Sequence, residues 1–271
     1  MKREARIHEH RRGPREQVTG GEWIYGRNPV YETLRAGRRN ALEMVLPPPN
    51  KNEDDIIAQL RATAFARGIV CRSEERDRLD KFTHFGHHQG VALKVSPYPY
   101  VDFEDIVADA AEDENALVVV LDHLEDPQNV GSILRTALCA GATGVVIPED
   151  RACGITPAAV RASAGASEHL KIACVVNIVR AMKELQEAGV WFTGLDWGDD
   201  AKPYTEVDFT GRAGLVVGAE GAGMSRLVRE TCDFIAELPM PGGFESLNAG
   251  VAAGVALYEM LRQRGAKQSR S

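Results

Sequence analysis

In this 271-residue chain, the residues best placed to do chemistry lie in three polar loops that each follow an apolar run. The first is LDHLEDPQNVGSILRTA, residues 121–137, where a strand ends and a helix begins near Asn129. Val130, Ile133, Leu134, Ala137 and Leu138 recur at helical spacing, so that face turns to a core. Arg135 falls on the other side, stacked with Gln128 and Ser132 over successive turns. A guanidinium there, with Asn129 at the mouth, suits a phosphate or a ribose hydroxyl. A surface arginine behind an N-capping asparagine explains the same spacing.

The second loop is LVVGAEGAGM, residues 215–224. Its glycines, Gly218, Gly221 and Gly223, fall in the order GxxGxG rather than the GxGxxG of a dinucleotide site. Glu220 would repel a pyrophosphate at close range, whereas glycines let backbone approach a ligand closely. The loop therefore suits an adenosine-bearing cofactor without phosphate; a plain strand–turn–helix explains the glycines but not the acid. The third loop, within ELPMPGGFESLNAGVAAGVALYE, residues 237–259, is stiff at its prolines and permissive at Gly242 and Gly243. Its helix opens at Ser246 or Asn248, both good caps. Glycine costs about 1 kcal/mol in a helix, so Ala249, Gly250, Ala252, Ala253 and Gly254 imply very close packing, either internal or between subunits.

The elements that must hold these loops form two groups. NPVYETLRAG and EDDIIAQLRATAFARG read as helices, the second with Ile56, Leu60 and Ala64 on one face. LEMVLP, IVCR and GVALKV read as strands, so residues 21–97 form a small α/β domain after a disordered basic tail, 1–20. Residues 98–113 read as a linker running into a short helix. From 114 to 266 the rhythm is regular: ALVVVLD, GVVIP, KIACVV, VWFTGLDW, LVVGAEG and FIAELPM are apolar strands alternating with helices, TPAAVRASAGASEHL among them. Such a pattern means an α/β fold with a mostly parallel sheet covered on both faces. Ligands then sit beyond the carboxyl ends of the strands. Residues 267–271 read as a second disordered tail.

Composition narrows the class. The net charge of −7 is uneven: residues 1–97 hold 18 basic and 13 acidic side chains, and residues 98–271 hold 14 and 26. A basic part able to grip a polyanion joined to an acidic part that does chemistry fits this split; solvated surface explains it as well. Cys71, Cys139, Cys153, Cys174 and Cys232 show neither metal-ligand nor disulfide spacing and read as reduced, mostly buried thiols. His84, His87 and His88 read as exposed loop histidines rather than a metal site, and no metal is expected. The start MKREARIHEHRRGPREQ lacks the apolar core of a secretion signal, so a cytoplasmic protein is expected.

Taken in order, DPQNVGSILRTA, LVVGAEGAGM and LPMPGGFESLNAGVAAGVALYE resemble the three motifs of the SpoU (TrmH-like) branch of the SPOUT methyltransferase superfamily, and RASAGASEHL adds to the match. The resemblance covers residues 116–264. Residues 23–95, with YGRNPVYETL and HQGVAL, are similar to the substrate-binding domain of its 23S ribosomal RNA guanosine 2′-O-methyltransferases, a small α/β fold like the kink-turn-binding ribosomal proteins. The resemblance implies a deep C-terminal trefoil knot, a homodimer formed through the knotted domain, an RNA partner and S-adenosyl-L-methionine as cofactor. Carried over by position, Gly218, Leu238 and Leu247 contact the cofactor, with Glu220, Gly221, Met240 and Ser246 close by. Asn129, Arg135, Glu220, Ser246 and Asn248 match the polar catalytic positions around the reacting ribose, and Arg135 acts at a site the other subunit completes. Ala249-Gly250 stands where relatives more often carry Val-Ser, and Pro241 adds a proline to the third loop.

The expected activity is 2′-O-methylation of an RNA ribose, on a guanosine of large-subunit rRNA. An in-line displacement at a sulfonium needs mainly orientation and desolvation. Arg135 would grip the neighbouring phosphate and ease loss of the hydroxyl proton, while Asn129, Ser246 and Asn248 fix the ribose. Three rivals remain: a tRNA ribose methyltransferase, disfavoured by residues 23–95; a non-catalytic RNA-binding protein, disfavoured by the intact polar positions; and a nicotinamide oxidoreductase, disfavoured by the glycine order.

Overall fold

In the computed structural model the described residues are 21–51, 53–83, 86–243 and 246–268. The 1–20 tail, His84 and residues 269–271 lie outside them. The first unit comprises β1 (Glu22–Tyr25), α1 (Arg27–Ala36), β2 (Ala41–Val45), α2 (Asp55–Ala66), β3 (Val70–Arg72), α3 (Arg76–Phe82) and β4 (Ala92–Val95). Its sheet runs β1-β4-β2-β3, with β4 antiparallel to both neighbours and β3 parallel to β2. Ile24, Met44, Leu60 and Leu93 fill its core.

Sequence periodicity did not show β1, four residues long, or α3, where Leu79 is the buried apolar residue. On α2 the buried face is Ile57, Leu60 and Ala64, spaced i, i+3, i+7, with Ile56 only half-buried at its edge. His88 is not an exposed loop histidine. It is buried, its Nδ1 accepts from Gly90 N at 2.9 Å, and its Nε2 lies 3.0 Å from Asp80 Oδ1. The first contact fixes the tautomer, so Nε2 carries the proton towards the carboxylate.

The second unit opens with α4 (Phe103–Glu112), inside the stretch expected to link the two parts. Ile106 and Ala110 bury it against Val118, Val120 and Met182 of the unit that follows. Then come β5 (Leu117–Asp122), α5 (Pro127–Cys139), β6 (Gly144–Pro148), α6 (Pro157–Ala162), β7 (Ile172–Val175), α7 (Ile178–Glu187), β8 (Trp191–Leu195), β9 (Lys202–Pro203), β10 (Ala213–Gly218), α8 (Arg226–Thr231), β11 (Phe234–Glu237) and α9 (Ala249–Gln268). The seven strands run β7-β6-β5-β10-β8-β11-β9, and every pairing is parallel. Apolar strands flanked by helices on both faces produce this, as their non-alternating sequences predict.

Three local readings change. TPAAVRASAGASEHL is not one helix: α6 stops at Ala162, Ala164 and Gly165 take left-handed φ of 54° and 88°, and a 3₁₀ turn follows at Ala166–His169. Helix α9 continues through Gln268, past the expected end of the domain at 266. Cys71 and Cys139 are exposed and Cys153, Cys174 and Cys232 half-buried, so the thiols, none of them in a disulfide, are not mostly buried.

Candidate active site

All three motif loops leave the carboxyl ends of β5, β10 and β11, on one edge of the large sheet. The β5–β10 register pairs Asp122 with Gly218, which sets the first and second loops side by side. Helix α5 starts two residues earlier than the sequence suggested. Its cap is Asp126, whose side chain accepts from Gln128 N at 3.0 Å, and Pro127 occupies the first turn, where its missing N–H is no loss. Asn129 is therefore not a cap: it is buried in the first turn.

Asn248 takes the capping role at α9. Its Oδ1 accepts from Val251 N at 3.2 Å, which turns its amide nitrogen away from the helix. That nitrogen donates to Asn129 Oδ1 at 2.7 Å and to Glu220 Oε1 at 2.8 Å. Glu220 also accepts from Ala249 N at 3.4 Å, so its carboxylate sits at the positive end of α9. One residue from each predicted motif thus meets in a single cluster. Both amide hydrogens of Asn248 are engaged, so it holds the other two residues in register. The Asn129 amide nitrogen has no such partner among the described residues.

Arg135 is exposed, on the same face of α5 as the exposed Gln128 and Ser132, and forms no ion pair among the described residues. Helices α5 and α9 pack closely below it: a Cβ on Gly250 would lie 3.0 Å from Ser132 Oγ. The small residues of α9 are thus explained on that side by an internal contact.

The second loop folds back on itself. Ala219 N donates to Gly223 O at 3.0 Å and Gly223 N returns to Ala219 O at 2.8 Å, with Gly221 and Gly223 at φ 74° and 67°. A Cβ on Gly218 would lie 2.3 Å from the Gly223 carbonyl carbon, so only glycine fits at the end of β10. Glu220 and Gly221 are exposed at the tip. Leu238 and Met240 are half-buried after β11, and Ser246 and Leu247 are exposed just before α9.

Several residues here escaped the sequence reading. Asp122 is buried at the end of β5, where its Oδ2 accepts from Ser225 N at 2.6 Å and its Oδ1 lies 2.5 Å from His123 Nδ1. It ties the first loop to the second. A lone acid ending an apolar strand was the available signal, with His123 beside it at a left-handed φ of 57°. After β8, Arg229 braces the next loop by donating to Asp196 at 3.2 Å and to both oxygens of Asp200 at 2.6 and 3.0 Å. That hydrogen bonding holds the Asp200 carboxyl below its usual range. Burial pushes the Cys232 thiol up to about 12. It stays protonated near neutrality and is a packing group rather than a nucleophile.

The model of the SpoU rRNA Methylase family matches residues 116–258, which include the whole cluster. The chain belongs to the SpoU methylase family. A second family model, for RNA 2′-O ribose methyltransferase substrate binding, matches residues 23–101. This SpoU methylase is 41% identical over 265 residues to a Mycolicibacterium vanbaalenii chain named "Uncharacterized tRNA/rRNA methyltransferase", covering 97% of this chain and 83% of that one. YacO of Bacillus subtilis, named for the TrmH family of tRNA/rRNA methyltransferases, is 40% identical over 244 residues, 90% of this chain and 96% of its own. Among solved structures, the SpoU methyltransferase AviRb from Streptomyces viridochromogenes, in complex with AdoMet, superposes with a TM-score of 0.75 at 27% identity, covering 94% and 95% of the chains. An AdoMet-bound rRNA methyltransferase from Sinorhizobium meliloti gives 0.74 at 25% identity, covering 90% and 88%. The chain is an RNA methyltransferase with an N-terminal substrate-binding domain.

Proposed function

We propose that this SpoU methylase uses S-adenosylmethionine to methylate the 2′-hydroxyl of an RNA ribose, on a guanosine of large-subunit rRNA. The observation that carries the reading is the Asn129–Asn248–Glu220 cluster, with Arg135 exposed further along α5 and in no ion pair among the described residues. The second loop suits the cofactor: its backbone is open at Gly221 and Gly223, and its one charge, Glu220, is negative. That favours a cationic ligand without phosphate. Gly218, Glu220, Gly221, Leu238, Met240, Ser246 and Leu247 would hold it, and when bound it supplies an activated methyl group.

The chain's own groups supply orientation. Arg135 holds the phosphate next to the target ribose and stabilises the negative charge that develops on the 2′-oxygen as its proton passes to solvent. The Asn129 amide nitrogen and Ser246 fix the ribose, and Asn248 holds Asn129 and Glu220 in place. Leu247, Val251, Val255 and Tyr258 expose an apolar stripe before and along α9, which supports a homodimer through the C-terminal domain, with Arg135 acting at a site that the other subunit completes.

The test is methyl transfer from labelled S-adenosylmethionine to deproteinised large-subunit rRNA from cells lacking the gene, with the product mapped by resistance of its 3′ linkage to alkaline hydrolysis. A single 2′-O-methylguanosine is expected. Label on a base, or in tRNA alone, would overturn the assignment.

A further inference from the structure

RASAGASEHL, which resembles a family segment but contributes nothing to the active-site cluster, packs on the first unit. Tyr98 Oη, in the connection between units, donates to Ser167 O at 2.7 Å. Arg38, just after α1, donates to Leu170 O at 2.6 Å and to Pro99 O at 2.9 Å, so one guanidinium bridges the connection and the catalytic unit. Arg39 Nη2 lies 3.1 Å from Glu168 Oε1, both side chains fully buried, while its Nη1 donates to Glu22 at 2.8 Å. The Tyr98 ring packs under both arginines, 5.5 Å from Arg38 and 4.9 Å from Arg39. His169 pairs with Glu32 at 2.7 Å. Gly165, held at φ 88°, lets α1 approach so closely that a Cβ there would lie 2.5 Å from Glu32 Cβ.

The same segment lies along the flank of α5. A Cβ on Gly131 of α5 would lie 2.4 Å from Ala162 Cβ and 2.7 Å from Ser163 N. Gly131 lies one helical turn from Arg135, so this segment flanks the exposed strip of α5 that carries Gln128, Ser132 and Arg135. A buried ion pair is weak evidence for stability, since desolvation offsets the attraction. The Arg39–Glu168 pair is moreover short of good hydrogen bonds at both partners. Its use is better sought in register: a charge pair tolerates one docking geometry where an apolar contact would tolerate several.

We propose that residues 161–170 form a socket in which Arg38, Arg39 and Tyr98 lock the RNA-binding unit at one orientation to Arg135, making these three positioning residues for long RNA. The kinetic form of the proposal rests on the methyltransferase reading above; the structural form does not. RNA held by both units gains from their fixed separation, and a loosened joint lowers that effective concentration.

The test compares the full chain with Arg38→Ala, Arg38→Lys and Tyr98→Phe. On deproteinised large-subunit rRNA from cells lacking the gene, Arg38→Ala should raise KM about tenfold or more while kcat stays within about threefold. Affinity for S-adenosylmethionine by calorimetry should not change, and Arg38→Lys, which cannot fork to two carbonyls, should recover only part. Small-angle scattering should show a larger radius of gyration for Arg38→Ala than for the parent. Unchanged KM with unchanged scattering overturns the proposal, as does a joint collapse of kcat and cofactor affinity. If Arg38→Ala fails to fold, Tyr98→Phe, which loses the hydroxyl's contacts with Ser167 O, Leu170 O and Arg38, decides by the same readouts. Should the parent leave this RNA unmethylated, the substrate assignment falls and scattering alone judges the socket.

Discussion

Arg135 and Asn248 do different work, and their replacements separate the two roles. Arg135→Ala removes a charge that no described neighbour uses, so folding and cofactor affinity should survive while kcat falls about 10²–10³-fold. Near-normal turnover would end the phosphate-holding role. Asn248→Ala removes a helix cap, worth about 1 kcal/mol, and frees both Asn129 and Glu220. Here both melting temperature and kcat should drop, measured on one preparation, and a drop in melting temperature alone would leave Asn248 a mere cap. Asn129, Glu220 and Asn248 were each legible as polar residues at the mouth of an apolar element. Their mutual contact was not, because Asn248 lies 119 positions from Asn129 and 28 from Glu220, and spacing speaks only within one element. Asp122 and His123 were missed because the chemistry of a strand end shows only once its neighbour strand is known.

Strands that are apolar throughout announce themselves, and Gly144–Pro148 is β6 with the bounds its sequence suggests. RASAGASEHL misleads because its alanines favour a helix, while the fold needs a turn against α1. Glycine at 131 belongs to the same packing. Gly131→Val must push α6 away from α5, at a cost of about 1–3 kcal/mol. The expected result is a lower melting temperature together with weaker methylation, because the displaced α5 carries Asn129 and Arg135. Unchanged melting would show that α6 yields freely and that the contact is not tight.

For the molecule as a whole, the exposed stripe on α9 makes the homodimer testable. Val255→Asp with Tyr258→Ser places a charge and a hydroxyl where an apolar partner is expected, so light scattering after gel filtration should move from dimer to monomer mass, with methylation lost alongside. A monomeric parent would remove this role from the stripe. The chain by itself determined the fold class, the alternation of strands and helices and the two-part charge distribution. These follow from local propensity, periodicity and composition. Only the tertiary structure decided that Asn248 joins Asn129 to Glu220, and that Arg38, Arg39 and Tyr98 join the two units through residues 161–170. Those facts depend on which strand lies beside which, and no periodicity within one segment encodes a partner more than a hundred residues away.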